Sequence, residues 1–124
     1  MLLDTHVVLW WLAGRRDRLS APMIEALSRP RAKVVVSAVV LWEAAIKRSL
    51  GKLVPPTADL LARLEAVDVE LLPIAPRHAD HVAVLPWHHR DPFDRLLVAQ
   101  AQLEGLTIVS ADPWIDAYDV PVLR

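Results

Sequence analysis

Residues 33–51, KVVVSAVVLWEAAIKRSLG, change from one kind of regular structure to another inside a single apolar stretch. Lys33 to Val36 is short and β-branched, which suits a strand buried on both faces of a parallel sheet. Ser37 has the side chain of a helix N-cap, and the run Ala38-Val39-Val40-Leu41-Trp42-Glu43-Ala44-Ala45-Ile46 that follows predicts a helix to about Leu50, stopped by Gly51. A strand passing directly into a helix is half of a βαβ unit, and the rest of the chain repeats the pattern.

Toward the N-terminus, Met1 to Asp4 is a short strand candidate, and Thr5 to Ala13 predicts a buried helix that Thr5 can cap and Gly14 closes. Ser20-Ala21-Pro22 opens a second helix ending near Arg29-Pro30. Toward the C-terminus, Thr57 caps a helix to about Ala66, Val69 to Ile74 supplies a third strand, and Pro76 to Leu85 a further helix. Pro92 to Glu104 is the strongest helix, with proline at its first position and Gly105 after its end. Leu106 to Val109 is a fourth strand and Val120 to Leu123 a fifth, after a helical turn at Pro113 to Tyr118. Strands separated by helices require crossover connections, so the expected fold class is α/β: one three-layer α/β/α domain over residues 1–124 around a central, mostly parallel sheet.

At 124 residues the chain is long enough for one core and too short for two. Its 54% hydrophobic content and mean hydropathy of +0.30 are high for so small a domain, so some apolar surface is expected to meet another chain. With no cysteine, disulfides, thiolate zinc sites and cysteine nucleophiles are excluded, and a cytoplasmic location is expected. Asp4 and His6 interrupt the N-terminus too early for a signal peptide, and no apolar run is long enough for a membrane span. A net charge of -1 provides no global basic field, so contact with nucleic acid would have to use a local patch or a bound metal.

In an open parallel sheet the ligand site lies beyond the carboxyl ends of the strands, which directs attention to acids that end strands or begin helices. Asp4 follows the first strand, Asp112 follows the fourth by a short turn, and Asp94 lies in the first turn of the Pro92 helix. Glu43 sits about two turns into an apolar helix, where a carboxylate is expensive to bury without a partner. Each also has a structural explanation: Lys47 can pair with Glu43 at i,i+4, Asp4 can cap the first helix, Asp91 can cap the Pro92 helix with Asp94 facing its dipole, and Asp112-Pro113 can form a turn. The joint occurrence of the four at one edge points further. Crowded carboxylates repel one another unless a cation neutralises them, and an all-oxygen set suits Mg²⁺ or Mn²⁺, which activates water against a phosphodiester without a protein nucleophile.

At these residues the chain resembles the PIN-domain ribonucleases, and among them the VapC toxins of toxin-antitoxin pairs. The matching stretches are Leu2-Leu3-Asp4-Thr5-His6, Ser37-Ala38 with Trp42 to Lys47, the helix DPFDRLLVAQA from Asp91 to Ala101, and Val109-Ser110-Ala111-Asp112. The resemblance implies that Asp4, Glu43, Asp94 and Asp112 are the catalytic acids, with Asp4, Asp94 and Asp112 on the metal. It leaves Asp91 as a possible helper or as the third acidic ligand instead of Asp94, and either Thr5 or Ser110 as the nearby hydroxyl. It further implies an RNA substrate, Mg²⁺ or Mn²⁺, a homodimer, and a cognate antitoxin that covers the site.

Other features favour surface or core roles. His78 and His81 share a helical face and His88-His89 precede Asp91, but without thiolates or a helical His-Glu pair a zinc site is disfavoured. Trp10, Trp11 and Trp42 belong to apolar helices, whereas Trp87 and Trp114 are the better candidates for stacking on bases. A haloacid-dehalogenase-like phosphatase would need a second aspartate where His6 stands, and a receiver domain a lysine where Ser110-Ala111-Asp112 follows the fourth strand. A non-catalytic binding module on the same fold is the remaining alternative, which retention of all four acids disfavours.

Overall fold

The computed structural model describes residues 1–52 and 59–124. The sheet consists of β1 (Leu2–Leu3), β2 (Val35–Ser37), β3 (Glu70–Leu72), β4 (Ile108–Val109) and β5 (Val122–Leu123), in the order β3-β2-β1-β4-β5. Every pairing is parallel, with Leu2 opposite both Val35 and Ile108, and Leu3 opposite both Val36 and Val109. The expectation of a mostly parallel sheet is met by a wholly parallel one, in a three-layer α/β/α arrangement. Leu2, Leu3, Val35, Val36, Ile108 and Val109 are all buried, as residues of central parallel strands must be when helices cover both faces.

The connections carry α1 (Thr5–Leu12) and α2 (Ala21–Ser28) between β1 and β2, and α3 (Ala38–Ser49) and α4 (Leu60–Glu65) between β2 and β3. Between β3 and β4 come α5 (Pro76–His81), a 3₁₀ turn at Val82–Val84, and α6 (Pro92–Glu104). Local chemistry fixes these boundaries. Ser37 Oγ accepts the N–H of Val39 at 3.0 Å, Ser20 Oγ accepts that of Met23 at 3.3 Å, and Gly105 ends α6 at φ +63°, in the left-handed region that suits glycine.

Of the two caps the sequence offers for α1, the structure uses one. Asp4, not Thr5, is the N-cap of α1, because β1 ends at Leu3 and the Asp4 carboxylate accepts the N–H of Val7 at 2.7 Å. Thr5 is thereby the first helical residue, and its hydroxyl is free to turn elsewhere. The expected Thr57 cap of α4 falls outside the described residues.

The chain moves outward from β1 through β2 to β3 and then returns to the other side of β1 to place β4. The strand order therefore reverses between β1 and β4, whose carboxyl ends flank the crevice where open α/β sheets bind ligands.

Candidate metal centre

Beyond those two strand ends lies a cavity of about 140 Å³ lined by Asp4, Thr5, His6, Glu43, Lys47, His89, Asp91, Asp94 and Asp112. The four acids singled out in the sequence thus share one space with Asp91 and Thr5. Ser110 stands beneath it: its hydroxyl donates to Asp4, and its Oγ accepts the N–H of Asp112 at 3.0 Å.

Each acid is held by its own element. Asp4 leaves β1 as the α1 cap and is buried, which raises its carboxyl above the usual range, although the bonds from Ser110 and Val7 partly offset this. Glu43 arrives from α3, also buried, with one oxygen accepting from the Thr5 hydroxyl and the other from the Lys47 ammonium. The i,i+4 pair with Lys47 forms, and Glu43 also lines the cavity, so the pairing does not remove it from the candidate site. Asp91 caps α6, its Oδ1 accepting from Phe93 at 2.8 Å and Asp94 at 3.3 Å.

Asp112 follows β4 in a turn that its own carboxylate closes by accepting the N–H of Trp114 at 2.9 Å. The turn is tied down from outside by Arg124, which donates to the Asp112 carbonyl at 2.6 Å.

Asp94 shows the strain most clearly. Burial, followed by the negative charges of Asp91, Asp112, Glu43 and Asp4, pushes its carboxyl up to about 7. So many acids around one small space leave a deficit of positive charge that a cation relieves, and the oxygen-rich donors suit a hard divalent ion.

Sequence reasoning set His89 aside, yet its Nε2 lies 3.5 Å from Asp94 Oδ2 and 3.7 Å from Asp112 Oδ2. His89, Asp94 and Asp112 offer ligand-type atoms all within 4.8 Å of one another. The segment preceding α6 is folded against the site by the buried Arg95, which donates to the carbonyls of Val82, Leu85 and Pro86 and stacks over Trp87 at 4.0 Å. Adjacent acids in the sequence hint at a site, but nothing in the spacing of His88 and His89 announces this long-range fold-back. His78, by contrast, is a buried structural residue bonded to Glu104 and to the backbone of Ala75.

Three of the tryptophans are exposed, Trp42 among them, although the sequence grouped it with Trp10 and Trp11. Trp87 and Trp114 are 80% and 58% exposed, and the Trp114 ring stands edge-on to His89 at 5.9 Å. Trp10 and Trp11 pack against the core, while Trp42 is half exposed and edge-on to Phe93.

Among known folds, similar chains include one in the VapBC2 complex of Rickettsia felis bound to a promoter DNA fragment, at 13% identity and TM-score 0.72, with 98% of this chain and 96% of that chain covered. A toxin-antitoxin complex from Klebsiella pneumoniae is similar at 18% identity and TM-score 0.67, covering 99% and 95% of the two chains. FitAcB from Neisseria gonorrhoeae is similar at 20% identity and TM-score 0.65, covering 99% and 96%. No curated protein sequence is significantly similar. Among the described residues, no helix is long and apolar enough to cross a membrane. The PIN domain family matches residues 1–121, nearly the whole length, and with the parallel sheet and the acids at its reversal point the chain belongs to the PIN domain family.

Proposed function

We propose that this chain is a metal-dependent endoribonuclease, the toxin of a toxin-antitoxin pair. The observation that carries the nuclease reading is the convergence of Asp4, Glu43, Asp94 and Asp112 on one cavity at the strand-order reversal of a PIN-family sheet. The toxin reading is supported by structural relatives that are toxin-antitoxin complexes.

Asp4, Asp94 and Asp112 would hold Mg²⁺ or Mn²⁺, with Asp91 alongside. Such an ion, when bound, supplies the positive charge that a phosphodiester needs and makes water a better nucleophile. The chain's own residues supply order. Thr5 and Lys47 fix both oxygens of Glu43, so this carboxylate keeps one orientation and can accept a proton from attacking water. Ser110 orients Asp4 and the backbone of Asp112, and Arg124 prevents the Asp112 turn from opening.

An antitoxin would cover this acidic cavity, presenting a basic side chain to the carboxylates. A homodimer is proposed from the apolar excess, with Leu50, Leu61 and Val84 among the exposed large apolar residues. The deciding experiment is cleavage of RNA by purified protein with Mg²⁺ or Mn²⁺. Activity should stop with EDTA and be lost in Asp4→Asn and Glu43→Gln; equal cleavage by these variants in EDTA would refute the reading.

A further inference from the structure

His89 has its tautomer set by the backbone. The N–H of Asp91 donates to His89 Nδ1 at 2.8 Å, and since a backbone amide can only donate, Nδ1 bears a lone pair and the ring proton resides on Nε2. The backbone at His89 is held by the bond from its amide to the Tyr118 hydroxyl at 3.0 Å, and the ring stands edge-on against Trp114. Nε2 looks into the acidic cavity, 3.5 and 3.7 Å from Asp94 and Asp112, beyond the distance of a well-made N–H···O bond. Lys47, the cation on the cavity wall, is already engaged by Glu43.

This arrangement is wrong for a metal ligand. A histidine that binds a metal presents a lone pair to the ion and donates its other N–H to a carbonyl or carboxylate. Here the second nitrogen, Nδ1, accepts a hydrogen bond and carries no proton, so ligation through Nε2 would require an imidazolate. The same arrangement is right for holding an anion drawn to the metal.

We propose that His89 is a substrate-binding residue, donating its Nε2–H to a phosphate oxygen brought over Asp94 and Asp112 by the bound cation, and that it is not a ligand of that cation. The inference rests on the metal-nuclease reading and adds to it a specific contact for the phosphate.

The test uses the whole chain and two variants that divide the ring's functions. His89→Asn can offer an acceptor near the place of Nδ1 for the Asp91 amide but does not reach the cavity; His89→Gln can reach with a donor near the place of Nε2. Mn²⁺ affinity is read from the electron paramagnetic resonance of the free ion, and phosphate affinity by titrating uridine 5′-monophosphate at saturating Mn²⁺. Mn²⁺ affinity should stay within about twofold in both variants, while nucleotide affinity falls about 3- to 10-fold in His89→Asn and less in His89→Gln.

A tenfold or larger loss of Mn²⁺ affinity in both variants would make His89 a ligand and overturn the proposal. So would the reverse order, with His89→Gln the weaker binder, which marks a purely local role at the head of α6. Wild-type protein that takes up no Mn²⁺ would remove the nuclease reading and this inference with it; normal Mn²⁺ uptake with nucleotide affinity equal in all three proteins would remove only the role of His89.

Discussion

The backbone N–H of Asp94 donates to the Asp91 carboxylate at 3.3 Å, so the acid that caps α6 and the acid that α6 directs into the acidic cavity are bonded to each other while their charges repel. Asp94 titrates from an ordinary value of 3.8 in the unfolded chain to about 7 when folded. A raised carboxyl favours the protonated folded state, so its contribution to stability is complete below about pH 4 and is lost as pH rises through about 7. A three-unit shift corresponds to about 4 kcal/mol in full, and partial solvent access reduces this to on the order of 1–3 kcal/mol. Denaturant titrations in EDTA between pH 4.5 and 7.5 should show wild type losing stability relative to Asp94→Asn by that amount. Parallel curves for the two proteins would disprove the assignment.

Asp4 combines a cap with a place in the cavity, and two substitutions separate these roles. Asp4→Asn keeps an oxygen for the Val7 amide and removes a buried charge, so stability without metal should be unchanged or raised by on the order of 1 kcal/mol. Asp4→Ala also loses the cap and should be about 0.5–2 kcal/mol less stable than Asp4→Asn. Both should lose the Mg²⁺-dependent rise in melting temperature, since linked stabilisation requires the site. An unaltered Mg²⁺ response in either would exclude Asp4 as a ligand.

Lys47 compensates Glu43 when no cation is bound. Lys47→Met leaves a buried carboxylate with only the Thr5 hydroxyl as partner, and because Lys47 is partly exposed the loss should be about 1–2 kcal/mol, below that of a fully buried pair. A divalent ion should restore part of the loss, so the variant should gain more from Mg²⁺ than wild type does. An identical gain would mean that Glu43 does not sense the ion.

The parts of this architecture that local chemistry dictates were legible in the sequence. Asp91-Pro92 and Gly105 bracket α6 with a cap, a first-turn proline and a left-handed stop, and the structure begins and ends the helix there. Ser37 marked the passage from β2 to α3, and the acids placed at strand ends share the cavity because parallel topology directs those ends to one edge. The sequence left the cap of α1 open between Asp4 and Thr5, both good caps, and only the pairing of β1, which ends at Leu3, decides for Asp4. His89 was passed over because its position depends on Arg95 drawing residues 82–86 back across the head of α6, a tertiary contact with no periodic trace.

That contact is itself testable. Arg95 is buried and serves three carbonyls and the Tyr118 hydroxyl, which a planar fork of donors can do and an ammonium cannot. Arg95→Lys should cost on the order of 2–4 kcal/mol, because carbonyls in the fold-back lose their donors. It should also alter Trp87 fluorescence through loss of the stacked guanidinium. Stability within about 0.5 kcal/mol of wild type, the range of ordinary surface changes, would show that the segment holds without Arg95.

The ligand and cap roles at the head of α6 can be told apart by the same thermal melts with EDTA and with Mg²⁺. Asp91 accepts two backbone N–H groups of the first turn, so Asp91→Ala should lower stability by about 0.5–2 kcal/mol under both conditions and leave the Mg²⁺ increment largely intact. Asp94 accepts no backbone bond that the helix needs, and its charge is opposed by Asp91, Asp112, Glu43 and Asp4. Asp94→Asn should therefore be as stable as wild type or more so in EDTA at neutral pH, and should lose the Mg²⁺ increment. Its loss of the favourable charge against the helix dipole, about 0.3–1 kcal/mol, acts in the opposite direction and is smaller than the relief of crowding. Should Asp94→Asn instead be destabilised yet retain its magnesium response, while Asp91→Ala loses that response, the ligand would be Asp91 and the raised carboxyl of Asp94 a consequence of burial alone.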